Sequence, residues 1–509
     1  MEIGDVERAL PETSRLISCS SEATLANHSS ADNEVPRNTL IKQEAWWLLT
    51  SSAPLALSYL CQNSFNFFSL LSVGKLGVDE LAAASLATMI INFIVLMPSV
   101  GLACALETFC TAQFTASRDK TRVGFHMQRG LFAVTVQLVP TIGLFLFIDP
   151  LLRMLGQTEH VSELCGQFLR WWLWGSWPLV AFECLKRFVM AQGLMRANTI
   201  VMGVVMPIHV LNCYLLVWSP QFGLGFIGAP LTTVISSWLL FGGMVLYIAC
   251  SDARKGWGGF SWECLDNIWE FYRLGIPSAA MLACSWAAFE LVTFGSSIFG
   301  PTSLAAQACI FSAMALTYQA PAAIGSAAAT RIGNSLGLSK HRRARYSAHV
   351  AIAMGYVLGI GSSILLFACR KKWGYLYTRD QAVAELCAQL MPYFAAVQTY
   401  DGMNGLISGI LRALGKQKLG AFLSFPSFWI LGLPLGFYLA LGPLKLEVIG
   451  LWLGLAAGVI VFSIAQQWYV IYRIDWRYEV KECFDRLSKS SRPMPSSSYE
   501  SIESYGSIA

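Results

Sequence analysis

Charge is scarce in this chain. Only 13% of its 509 residues are Asp, Glu, Lys or Arg, against about 25% in ordinary soluble domains. With 55% hydrophobic residues, it is too apolar to be disordered and too poorly charged for an ordinary soluble enzyme or a fibrous protein. The net charge is +5, but the cations are spread through short segments, so nucleic acid is not implied. Paired metal-binding cysteines are missing as well. The 14 Cys include no C-x-x-C pair, and Cys61, Cys104, Cys184, Cys213, Cys284 and Cys309 sit in apolar runs. There they read as reduced, small apolar fillers, and neither a metal nor a cofactor is expected. Residues 1–43 hold seven acids, four bases and no apolar core, so they do not read as a secretory leader.

Long apolar runs are abundant. A bilayer core about 30 Å thick needs roughly 20 apolar residues per helix. Twelve runs qualify, at 46–73, 81–107, 127–148, 165–192, 198–218, 224–250, 271–299, 303–331, 346–369, 384–412, 419–441 and 447–473. Backbone groups in lipid must be satisfied within the segment. The runs therefore predict an all-α polytopic membrane protein with twelve transmembrane helices. An even number of spans puts both termini on one side. The loops on that side carry Arg118, Lys120, Arg122, Arg196, Arg254, Lys255, Arg273, Arg331, Lys340, Arg342, Arg343, Arg345, Arg412, Lys416 and Lys418, and the opposite loops carry fewer bases. The positive-inside rule makes the tail side cytosolic. The predicted organisation is a disordered cytosolic tail (1–43), six helices (44–250), a cytosolic linker (251–270), six more helices (271–473) and a cytosolic C-terminal tail (474–509).

The two halves resemble each other. An offset of 223 residues places Pro54 on Pro277, Cys61 on Cys284, Gly77 on Gly300, Leu81-Ala82-Ala83 on Leu304-Ala305-Ala306, Pro98 on Pro321 and Arg122 on Arg345. Six spans per half is even, so the repeat is parallel, with a pseudo-twofold axis along the membrane normal. Two six-helix lobes related in this way leave a cleft between them, and rocking them would give alternating access.

A carboxylate in the bilayer core costs at least about 2.5 kcal/mol and needs a partner, a water-filled cavity or a proton. Glu290 and Asp401 both lie mid-span in the second half, and Gly402 and Gly405 beside Asp401 permit close packing or a helix break. These two acids are the expected proton-coupling residues. Gln62, Asn66, Asn92, Ser285 and Asn404 are candidate cleft-lining polar groups, while Trp286, Tyr318 and Tyr400 offer ring faces to an organic cation. Glu107 reads as a cap or loop anchor, and Arg331 and Arg412 as anchors of the cytosolic face. Glu183 reads as a local ion pair with Lys186 and Arg187, and His209 as structural. A membrane-embedded enzyme would require a metal or nucleophile constellation, such as H-E-x-x-H or G-x-S-x-G, and none is expected.

Several segments stand out together: Gly74-Lys75-Leu76-Gly77, Ala105-Leu106-Glu107-Thr108-Phe109-Cys110, Gly275-Ile276-Pro277-Ser278 with Phe289-Glu290, the stretch Ala328 to Gly337, and Asp401-Gly402 through Gly420-Ala421. In these segments, and from Trp46 to Arg473, the chain resembles the eukaryotic branch of the multidrug and toxic compound extrusion (MATE) family. The resemblance implies an antiporter that exports small organic cations, drugs or metabolites against protons, with Glu290 and Asp401 matching the family's second-lobe acids. Two positions depart from the pattern. Ser285 stands where many eukaryotic members have a second glutamate, and the neighbourhood of Ser69 lacks the first-helix aspartate of many prokaryotic members. The alternatives are a sodium-coupled antiporter and a lipid-linked or anionic-metabolite flippase of the same superfamily. The expected partners are a small-molecule substrate, protons and the lipid bilayer, with a monomeric chain. The strings Glu12-Thr13-Ser14-Arg15-Leu16-Ile17, Tyr499-Glu500-Ser501-Ile502 and Tyr505-Gly506-Ser507-Ile508 resemble signals for sorting adaptors. They favour a vacuolar or lysosomal membrane over the plasma membrane.

Overall fold

The computed structural model describes residues 35–154, 156–219, 221 and 223–490; the three sorting strings lie outside them. Twelve long helices follow one another: α1 Arg37–Val73, α2 Asp79–Ala116, α3 Arg122–Leu146, α4 Glu159–Ala191, α5 Arg196–Trp218 and α6 Gly225–Cys250. Then come α7 Ile268–Ser297, α8 Pro301–Gly337, α9 His341–Leu376, α10 Gln381–Ala413, α11 Gln417–Leu441 and α12 Glu447–Arg473. Every predicted apolar run falls on one of them. Nine are long and apolar enough to cross a membrane on composition alone. The other three, α1, α4 and α10, each hold buried charged residues: Glu44, then Glu183, Lys186 and Arg187, then Asp401 and Arg412.

Helical order extends beyond the apolar runs. The α1 helix starts at Arg37, inside the segment expected to be disordered, and its 37 residues span about 55 Å at 1.5 Å per residue. Its first turns are held by Glu44, which is fully buried and accepts from Arg331 at 2.7 and 2.8 Å and from Ser347 at 2.6 Å. The segment after α12, expected to be a tail, contains a thirteenth helix, α13 Trp476–Ser490. The linker is docked rather than loose. Arg129 of α3 is buried and donates to the carbonyls of Cys264, Asp266 and Ser490.

Prolines shape the spans. Pro54 and Pro277 lie inside α1 and α7. In α2 a π-helical turn at Asn92–Leu96 precedes Pro98. An extra residue of this kind absorbs the missing N–H and the clash of the ring with the preceding turn.

Two hydrophobic cores explain the shape. One is continuous across both lobes: it joins the first-lobe helices to Ala323–Leu336, Ala344–Ile352, Met403–Leu414 and α13. All those second-lobe segments lie at the tail-side ends. The other core is private to the second lobe and fills its opposite half, around Phe289, Ile310, Phe394, Phe428 and Trp452. Between the lobes, α2 packs on α7 and α8, and α1 packs on α8 and α9. Small residues allow this. A Cβ on Gly101 would lie 2.2 Å from the Cα of Ala279, and one on Gly333 would lie 1.9 Å from the Thr111 hydroxyl. The lobes are thus closed together on the tail side and diverge on the other.

Candidate functional site

The cleft floor is built from α1, α2, α4, α8 and α10. Asp401 of α10 is 6% exposed, and its Oδ2 is enclosed without a hydrogen-bond partner. One turn earlier, Gln398 is fully buried with both amide atoms unpartnered. The sequence reading missed Gln398; its spacing of three from Asp401 on one helix is the signal that could have found it. Glycines after Asp401 bring α8 close. A Cβ on Gly402 would lie 2.8 Å from the Pro321 ring, and one on Gly405 would lie 2.6 Å from the Tyr318 hydroxyl. Tyr318, at a break in α8, is therefore seated against α10 at Gly405, one helical turn from Asp401.

The other acids of the interior are paired. Glu183 accepts from Lys186 and Arg187 at 2.7 Å each, as expected, and also from Gln62 at 3.1 Å. Glu107 is not a loop anchor. Its carboxylate accepts from Arg412 of the opposite lobe at 2.7 Å and lies 3.4 Å from Arg187 of its own lobe. Thr108 donates to the Arg412 carbonyl, and Gln417 donates to the Thr108 hydroxyl at 2.9 Å. Lys186 lies over the Tyr59 ring at 5.4 Å, and the Tyr59 hydroxyl meets Ser326 of the other lobe at 2.9 Å. A buried chain of charge thus crosses the lobe boundary, with two carboxylates and three cations.

The remaining candidates are scattered. Asn404 ties α10 to α12, donating to the Val459 carbonyl and accepting from Gln466, both at 3.3 Å. Ser285 donates to its own helix at Met281. Tyr400 packs against the second-lobe core. Trp286 is 41% exposed, Asn66 is exposed, and Asn92 and Glu290 are half-buried. Among the described residues no ion pair involves Glu290 or Asp401, and no hydrogen bond joins the scattered residues to Asp401. Asn63, beside Gln62, donates across the lobes to the Ala315 carbonyl at 3.1 Å. His209 is fully buried, against Ser236 at 2.8 Å, the Phe65 carbonyl at 3.1 Å and Ser69 at 3.3 Å. One string needs correction. Gly333-Asn334-Ser335-Leu336-Gly337 does have the G-x-S-x-G spacing. It lies within α8, the Ser335 hydroxyl donates to the Arg331 carbonyl at 2.7 Å, and both glycines pack on α2, so it serves helix packing.

Comparison with known proteins follows the same geometry. The MatE family model matches twice, over residues 54–215 and 277–438, at the 223-residue offset of the internal repeat. The chain belongs to the MATE transporter family. It is 32% identical over 466 residues to an uncharacterized transporter of Schizosaccharomyces pombe, covering 90% of this chain and 86% of the relative. It is 29% identical over 436 residues to multidrug and toxin extrusion protein 1 of Oryctolagus cuniculus, covering 86% of this chain and 76% of that protein. The crystal structure of the eukaryotic MATE transporter AtDTX14 superposes with a TM-score of 0.82 at 26% identity, over 88% of this chain and all of that one. This MATE protein is a multi-pass membrane transporter, not an enzyme, and it has the twelve-helix, two-lobe fold of the family.

Proposed function

We propose that this MATE transporter is a proton-coupled antiporter that exports small organic cations, drugs or metabolites, using Asp401 and Glu290 as its proton-coupling acids. The observation that carries the reading is the contrast between acids. Glu107 and Glu183 are each held by two cations, while Asp401 is buried with one oxygen unpartnered and, among the described residues, has no ion pair. A buried carboxylate in that position is neutralised either by a proton or by a cationic substrate, and mutual exclusion of the two is antiport. With the cleft open opposite the tails, the acids take up protons and release substrate. Rocking to the other side releases the protons and restores a negative site. One pH unit supplies about 1.4 kcal/mol per proton, enough for roughly tenfold accumulation at one-to-one coupling.

In this reading the tail-side face is cytosolic, as the basic loops require, and the protein acts as a monomer. The sorting strings direct it to a vacuolar or lysosomal membrane through adaptors. The test is uptake of a fluorescent organic cation into sodium-free proteoliposomes with an acidic lumen. Uptake that collapses with the pH gradient and in Asp401→Asn or Glu290→Gln is the expected result. Normal gradient-driven exchange by Asp401→Asn overturns the mechanism.

A further inference from the structure

A cavity rich in cationic side chains lies away from the cleft floor, where α9 begins, α12 ends and α13 begins. It encloses about 530 Å³ and is lined by His341, Arg342, Arg345, Asp475, Trp476 and Arg477. A volume of that order suits a small organic group rather than a single ion. Arg345 and Arg477 are both exposed, and no ion pair holds either guanidinium among the described residues. The lining also holds one acid, Asp475. Its carboxylate caps α13 by accepting from the backbone N–H of Arg477 at 3.0 Å. The first turns of α9 and α13 both line the cavity, but Asp475 already accepts from the N–H groups of Arg477 and Tyr478, so side chains are left to hold an anion. Ile471, Tyr472 and Ile474 form its apolar side, at the end of a membrane span. A second cavity of about 370 Å³ adjoins it across Arg345, between α1 and α9, and adds Arg37 and His349.

We propose that this cavity is a binding site for an anionic phospholipid headgroup carrying a phosphomonoester. The lining carries three guanidinium groups against one carboxylate, a net excess of two positive charges that suits a phosphomonoester better than a phosphodiester, and the forked donors of Arg345 and Arg477 match its terminal oxygens. The apolar side receives the glycerol end of the lipid. The site rests on the cytosolic assignment of the tail-side face, where anionic lipids concentrate, but it is independent of transport chemistry. A bound headgroup would fasten the start of α13 to α9.

The test is binding by the purified full-length protein in detergent of dioctanoyl phosphatidylinositol 4-phosphate, inositol 1,4-bisphosphate and dioctanoyl phosphatidylcholine. The expected result is binding of the phosphorylated lipid and not of phosphatidylcholine. Affinity should fall at least tenfold in Arg345→Gln/Arg477→Gln, recover in part in Arg345→Lys/Arg477→Lys, and stay unchanged in Lys481→Gln, an exposed cation of α13 outside the cavity. The charge-conserving pair separates loss of the site from loss of fold. Tighter binding of the lipid than of the soluble bisphosphate assigns the ligand to the membrane; equal binding assigns it to a soluble phosphate, and either supports the site. Phosphatidylcholine binding as tightly as the phosphorylated lipid, or the Gln pair binding like wild type, overturns it. Because no transport is measured, failure of proton coupling leaves the result interpretable.

Discussion

Glu107 accepts from Arg412 across the lobe boundary, whereas Glu183 is neutralised within its own helix by Lys186 and Arg187. Both carboxylates are buried, so removing either leaves unpaired cations, at a typical cost of about 3–5 kcal/mol. The cost falls in different places. Glu107→Gln weakens chiefly the state in which the lobes are closed on the tail side, where Arg412 loses its partner, and takes from the first lobe only the longer contact with Arg187. Glu183→Gln weakens the first lobe in every state. Thr111 packs on Gly333 of the other lobe and can report the difference. In a cysteine-free background, maleimide labelling of Thr111→Cys should rise at least tenfold with Glu107→Gln, equivalent to about 1.4 kcal/mol. With Glu183→Gln it should change little. Equal labelling in the two variants would mean that the Glu107–Arg412 pair does not hold the lobes together. The two acids also differ in how far the sequence exposes them. Partners of Glu183 lie three and four positions away, inside one helical turn. Arg412 lies 305 positions from Glu107, and only the fold brings them together.

Helix α13 follows a clear pattern: Trp476, Val480, Cys483 and Leu487 are buried at helical spacing, and its outer face is charged. It escapes a search for apolar runs of bilayer length because it lies on the protein and not in the membrane. The twelve spans were legible for the opposite reason, since lipid imposes a minimum run length that few other structures satisfy. Lys416, between α10 and α11, binds Glu482 at 2.5 Å and Glu479 at 3.2 Å, while Arg129 of α3 holds the far end through Ser490. The helix therefore bridges both lobes. The two acids that bind Lys416 respond oppositely to pH. Burial raises the Glu479 carboxyl above its usual range despite Lys416. Lys416 and Arg486 lower that of Glu482 despite partial burial. Ionised Glu482 therefore contributes stability above about pH 4.5, lost as pH falls through its lowered folded value. Ionised Glu479 costs stability, and that cost appears as pH rises through its raised folded value. At pH 7.5 Glu482→Gln should lower the melting temperature of the purified protein, while Glu479→Gln should leave it unchanged or raise it. A fall with Glu479→Gln as large as with Glu482→Gln would show that the Lys416–Glu479 pair outweighs the burial of the acid.

The two cores imply a division of labour for the whole molecule. The private core of the second lobe keeps its outer half rigid. The shared core must separate if the tail side is to open. What favours closure is therefore not one lock but a layer: the charge chain at Glu107, the Glu44–Arg331 bridge, and small-residue packing of α2 on α7 and α8. Such a layer is legible only as a pattern of glycines and alanines in α2, α7 and α8; its partners come from the two-lobe arrangement. Exposed Gln43 and half-buried Arg343 offer a handle on it, because Arg343 reaches Gln43 across the lobes at 3.5 Å. In a cysteine-free background, Gln43→Cys/Arg343→Cys joined by a short bis-methanethiosulfonate linker should abolish substrate turnover, and a reductant that cleaves the linker should restore it. Each single Cys variant treated with the same reagent should keep its activity. If the linked protein turns over normally, α1 and α9 do not part during transport, and the cycle must proceed by movement of helices inside a lobe. If turnover stops and returns with reduction, rocking of the lobes about the cleft is required for transport.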